Sequence, residues 1–149
     1  MATTIVRRGW LSFAILGAFA LTCAAGCGGI RRVPVSGTVT LDGQPFTGGH
    51  LVFSPDTEKG NIHRINCRGR VKDGHYDLET NGVTGSESGP GVPLGWYKVT
   101  WVMLEESTKK HPIAPINVNS KFRDPGKTPL SVEVKDNPEP GAYDFKLTK

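Results

Sequence analysis

A set of short apolar alternations with a period of two constrains this chain most. Val33, Val35, Val39 and Leu41 alternate with Pro34, Ser36, Thr38 and Thr40, while Tyr97, Val99, Trp101 and Met103 are set off by Lys98 and Thr100. Successive strand side chains point to opposite faces, so each set makes one apolar face of a strand. The run from Trp96 to Met103, rich in aromatic and β-branched residues, predicts the central strand of the protein. Leu51-Val52-Phe53 predicts a second short strand, and Ile65, Cys67 and Val71 a third; Tyr76 and Leu78 continue beyond a turn. Leu130, Val132 and Val134, then Tyr143, Phe145 and Leu147, predict the last two.

The 19 Gly and 11 Pro gather between these runs, where they mark turns and not disorder. Asp42-Gly43 turns the chain after the first strand. Asp73-Gly74 predicts a tight hairpin, because both central positions need positive φ and this pair tolerates it. Asn81 to Gly95 reads as a long loop without periodicity, and Glu105 to Pro115 as polar and irregular. No helix of ordinary length is predicted. Val118 to Arg123 offers one short turn that Asp124-Pro125-Gly126 stops. The expectation is an all-β chain, an antiparallel β-sandwich of about seven strands.

Ahead of the first alternation stand Arg7 and Arg8, an uncharged stretch from Trp10 to Leu21, and then Ala24-Ala25-Gly26-Cys27. A short basic region, an apolar region shorter than the roughly 20 residues of a membrane-spanning helix, and a small-residue cleavage site make a secretory signal. With Cys at the cut, Ala25-Gly26-Cys27 resembles the lipobox of bacterial lipoproteins. That resemblance implies a diacylglyceryl group on the Cys27 thiol, cleavage before it and acylation of the new amine. Ala24 stands where Leu is usual, and Cys23 follows Thr22, a poor residue before a cut. The alternative is an ordinary signal peptide with a coincidental Cys. Arg7-Arg8-Gly9-Trp10-Leu11 also echoes the twin-arginine export signal, with Val6 in place of Ser or Thr, so both export routes stay open. The organisation expected is a signal peptide at residues 1–26, a lipid tether at 27–32 and one domain at 33–149. The protein would be exported and anchored to a bacterial envelope membrane by acyl chains that each contribute roughly 0.8 kcal/mol per buried methylene.

Processing would leave about 123 residues, enough for one domain with a single core. The net charge of +4 would fall to about +2, spread without a basic block, which argues against a nucleic-acid partner. Cys67 would then stand alone in an oxidising compartment, so no disulfide framework is expected. It reads as a small buried hydrophobe on a strand.

Val35-Ser36-Gly37-Thr38-Val39, Asp42-Gly43-Gln44-Pro45 and Leu51-Val52-Phe53, then Asp73-Gly74-His75-Tyr76-Asp77-Leu78, then Pro93-Leu94-Gly95-Trp96-Tyr97-Lys98-Val99 occur in that order. Together they resemble the carboxypeptidase regulatory-like, transthyretin-like (prealbumin-like) domains. The resemblance implies a sandwich fold and no peptidase activity, since it is to an accessory domain. Gly37 is expected to allow close strand approach, Gly95 to supply backbone freedom before the central strand, and Tyr97 to fill the core with its hydroxyl partnered. With the lipobox, the chain resembles small bacterial lipoproteins.

Catalytic chemistry finds little footing. His50, His63, His75 and His111 lack metal-ligand spacing, so no metal and no cofactor is expected. His75 and Asp77 share the outer face of one strand and form the best partial site. Glu105-Glu106 with Lys109-Lys110 reads as a solvated charged loop, and neither Ser86-Glu87-Ser88-Gly89 nor Ser36-Gly37 has the strand-turn-helix setting of a nucleophile elbow. Two function classes follow. The first is a non-catalytic binding or structural module, bound to membrane lipid through acylated Cys27 and presenting loops 81–95 and 105–127 to an envelope protein or glycan. In that reading, substitutions from Gly82 to Gly91 leave stability nearly unchanged. The alternative is a small-molecule-binding or hydrolytic transthyretin-like protein with a tetramer cleft lined by His and Arg. The chain's Lys146-Leu147-Thr148-Lys149 does not carry that class's C-terminal tetrapeptide.

Overall fold

Each period-two run forms strand over part of its length in the computed structural model, which describes residues 30–82, 84, 85, 87–103 and 117–149. In chain order the strands are β1 (Arg32–Val33), β2 (Ser36–Leu41), β3 (Gln44–Pro45), β4 (His50–Pro55), β5 (Cys67–Arg70) and β6 (His75–Asp77). They continue with β7 (Glu79–Thr80), β8 (Gly89–Pro90), β9 (Val92–Pro93), β10 (Gly95–Val102), β11 (Ser131–Val134) and β12 (Phe145–Leu147). The strands of three residues or more are β2, β4, β5, β6, β10, β11 and β12, which are the runs the alternations mark. The helical content among the described residues is 3₁₀ turns at Thr57–Lys59 and Ser120–Arg123, the second where the short turn was expected. No helix among them is long and apolar enough to cross a membrane.

Six strands form one antiparallel sheet in the order β11-β10-β4-β5-β7-β8, with β10 flanked on both sides as expected. In the second sheet β2 pairs with β12 on one side and with β6 and β3 on the other, and β1 pairs with β9 in a small ribbon. The sheets face each other across one core. Phe53 of β4 holds its ring 5.9 Å from Tyr97 on its own sheet, and 6.4 Å from Tyr76 and 5.8 Å from Phe145 on the other. Each such aromatic pair adds about 0.5–1.5 kcal/mol beyond its buried area. Leu51, Val39, Val99, Trp101 and Leu147 close around them.

Both Asp-Gly pairs turn as their chemistry requires. Asp42 and Gly43 have φ of 50° and 81°, Asp73 and Gly74 have 51° and 77°, and the second pair closes a tight reversal with Lys72 opposite His75. Two successive positive φ values match the right-handed twist of the flanking strands.

Three expectations are corrected. The alternation from Val33 to Leu41 is two strands, because Pro34, which lacks a backbone N–H, separates β1 from β2 and lets them join different sheets. Residues 81–95 are not a plain loop. They contain β8 and β9, with Val92 fully buried, and Gly91 has φ of 83° where a Cβ would lie 2.7 Å from the Val33 carbonyl oxygen. Substitution there cannot be neutral throughout. Finally, β12 runs parallel to β2, with Phe145 opposite Val39 and Leu147 opposite Leu41. The chain leaves β11, crosses between sheets over residues 135–144 and starts β12 in the direction of β2, a route no hairpin would take.

The registers define two ends of the sandwich. Ile30, the 56–66 loop, residues 78–94 and the 135–142 crossover lie at a near end, where the described chain begins. The Asp42-Gly43 and Asp73-Gly74 turns and residues 117–126 lie at a far end, tied together by Asn119 N–H donating to the Thr148 carbonyl at 2.9 Å and Gly48 N–H to the Val71 carbonyl at 3.0 Å. Of the loops expected to be contact surfaces, 81–95 therefore lies at the near end and the described part of the other, residues 117–127, at the far end.

Candidate functional site

At the near end an open groove of about 410 Å³ runs between β1–β2 and β6–β8, lined by Arg32, Val33, Val35, Asp77, Leu78 and Pro90 among others. The Arg32 guanidinium is committed to one wall, donating to the Glu87 carbonyl at 2.6 Å. Ser36 lies directly across the strand pair from Asp77, and His75 across from Thr38. Ser36, His75 and Asp77 are all exposed, on the outer side of strands whose inner side carries Tyr76 and Val39. Among the described residues no hydrogen bond joins His75 to Ser36 or Asp77, and nucleophilic catalysis needs that contact to activate the hydroxyl.

The other candidates do not converge on this groove. His50 is half-buried in β4 opposite Arg70 and Val102. His63 sits in the 56–66 loop, its backbone N–H donating to Asn61 Oδ1 at 2.9 Å. His111, Ser86, Glu105-Glu106, Lys109-Lys110 and Cys27 lie outside the described residues. Among those described, no three His, Cys, Asp or Glu side chains gather to hold a metal ion. Ser88 is structural: its Oγ donates to the Gly82 carbonyl at 3.2 Å and accepts the Gly82 N–H at 3.1 Å.

Cys67 is fully buried, its Sγ 3.5 Å from the Thr80 hydroxyl, which donates to the Gly91 carbonyl at 2.6 Å. Burial pushes the thiol up, away from the reactive thiolate. Sequence reasoning missed Asp56 and Asn61, both buried beside Trp96. Asn61 Nδ2 donates to the Trp96 carbonyl at 2.7 Å, pinning the 56–66 loop to the start of β10. Their only signal was the Gly60-Asn61 turn chemistry inside a polar run.

No family model, curated protein or solved structure matches this chain. Its titratable groups are shaped by their own surroundings. The most perturbed are tyrosines in the core. Tyr76 donates its hydroxyl to the Tyr143 carbonyl at 2.6 Å, and burial, then the nearby Asp144 charge, drives its pKa far above the ordinary value. Tyr97 donates to the Pro93 carbonyl at 2.8 Å, and burial pushes it up to about 12. A phenol whose folded pKa exceeds its unfolded one stabilises the fold fully below the unfolded value, and loses that contribution as pH rises through the folded one. Denaturation midpoints should hold steady to about pH 9 and fall above about pH 10, with a shallower fall in Tyr97→Phe. A midpoint unchanged from about pH 9 to about pH 12 would contradict the buried-phenol assignment.

Proposed function

We propose that this protein is a lipid-anchored extracytoplasmic module, held to a bacterial envelope membrane through acylated Cys27. Its β-sandwich would serve as a non-catalytic binding or structural element for an envelope protein or glycan. The observation that carries this reading is Ala25-Gly26-Cys27 closing an uncharged stretch behind Arg7-Arg8. The described chain supports it in two ways. Its first strand begins at Arg32, so the anchor and the domain are joined by a very short tether. Its exposed polar groups are also dispersed over the outer faces and do not meet at a reactive centre.

The motifs behind the transthyretin-like resemblance fall on related features of the fold. Gly37 lies in β2 under the Tyr143 carbonyl, Asp73-Gly74 makes the turn before β6, and Gly95, with φ of 136°, opens β10. They are the features on which we rest that family reading, as a statement about architecture alone.

Cys27→Ala should abolish acyl labelling and move the protein from the membrane fraction to the soluble one, because a single cysteine carries every acyl attachment in this scheme. Retained labelling would move the anchor to Cys23. Retained membrane association without label would remove the lipid from the explanation.

A further inference from the structure

We infer that the 56–66 loop is a second membrane contact, with Ile62 entering the headgroup region of the bilayer that holds Cys27. This rests on the anchoring reading above. Ile62 is 85% exposed, the one large hydrophobic side chain so exposed among the described residues. It is not on a loose segment. Asp56 N–H donates to the Trp96 carbonyl at 2.9 Å, Asn61 N–H to the Asp56 carbonyl at 3.1 Å, and the Asn61 side chain ties to both Trp96 and His63. The loop therefore presents an isoleucine to solvent from a braced segment, where its apolar surface gains nothing from folding and becomes favourable only when something covers it.

The surroundings fit a lipid surface. Trp96 is half-buried at the start of β10, with Lys59 Nζ 4.1 Å above its ring, and Arg64 is exposed two residues beyond Ile62. An indole and cations flanking an apolar tip match the layered chemistry of an interface, where aromatic rings sit at headgroup level and Lys or Arg meets anionic phosphate. Position makes the contact possible. Asn61 lies against Gly95, two residues after Pro93, and Pro93 pairs with Arg32. The loop is thus at the end of the sandwich where Ile30 and β1 lie. From Cys27 to Arg31 the extended chain spans at most about 14 Å, so the near end of the sandwich is held against the bilayer and the far end faces away. Anchoring at one point by a short tether and at a second by Ile62 would fix the orientation of the domain.

The test uses the full lipidated protein in vesicles of phosphatidylethanolamine and phosphatidylglycerol. Ile62→Cys, and separately Lys72→Cys beside the far-end turn, are labelled with the same environment-sensitive fluorophore; Cys67 is buried and Cys27 is consumed by the lipid. Emission from position 62 should shift to the blue on vesicle binding. It should also be quenched by headgroup-labelled nitroxide lipid about twofold or more over position 72. Equal quenching at the two positions, in protein that still floats with the vesicles, overturns this contact and leaves the anchor standing. Protein that does not float overturns the anchor, and this contact with it.

Discussion

Trp101→Ala is expected to cost about 3–5 kcal/mol, a large part of the 5–15 kcal/mol that holds a domain of this size together. The indole is fully buried at the far end of β10, tilted against Phe46 with ring centres 5.8 Å apart, and the Arg123 guanidinium lies 5.4 Å from its ring. Its Nε1–H donates to the Gly48 carbonyl at 2.9 Å. Space for it comes from Gly49, whose φ of 70° and missing Cβ let the indole nitrogen lie where a side chain would stand. Truncation therefore empties a cavity between the sheets and strands a carbonyl. Denaturant titration reads the loss, and Trp101→Phe separates its parts, since it keeps the ring contact and forfeits about 1–2 kcal/mol for the hydrogen bond and the smaller ring. A loss below about 1 kcal/mol in Trp101→Ala would show that the far end does not pack around this ring.

Gly37→Ala should destabilise by about 3 kcal/mol, unusual for the addition of one methyl group. A Cβ on Gly37 would collide with the Tyr143 carbonyl oxygen and lie 2.8 Å from its carbon and 3.1 Å from Tyr76 Cε1. The obstacle is backbone and cannot rotate away. That same carbonyl accepts the Tyr76 hydroxyl, so displacing it also breaks a buried hydrogen bond and loosens the crossover that delivers β12. Gly43→Ala is the comparison: nothing lies within 4 Å of its Cβ, and only the strain of φ at 81° remains, about 1 kcal/mol. If both variants lose the same amount, close approach is not what keeps residue 37 a glycine.

Gly37 shows how far a sequence can be read. Its place in a Val-x-Gly-x-Val run predicted a strand that another element approaches closely, and the approach is there. The element that approaches is Tyr143, 106 positions away, which no local pattern names. Tyr97 behaves the same way: alternation placed its ring inward, while its hydroxyl partner, the Pro93 carbonyl, depended on β9 turning back beside β1. Within the candidate site, His75 and Asp77 were correctly read as neighbours on an outer face, because a period of two decides that alone. Asp56, Asn61 and Ile62 were passed over, because a polar loop looks alike in sequence whether its side chains are buried, braced or left bare.

By itself, the sequence of this protein determined which residues face inward, where the chain reverses at Asp42-Gly43 and Asp73-Gly74, and that strands and not helices would form. Those properties depend on residues one to four positions apart, through side-chain alternation and the φ values that Asp and Gly tolerate. Only the tertiary structure decided that Pro34 divides one alternation between two sheets, that β12 lies parallel to β2, and that Ile62 is exposed at the same end of the sandwich as β1. Each of these is settled by closing the chain over tens of residues so that two apolar faces meet, and the free energy of that closure belongs to no single segment.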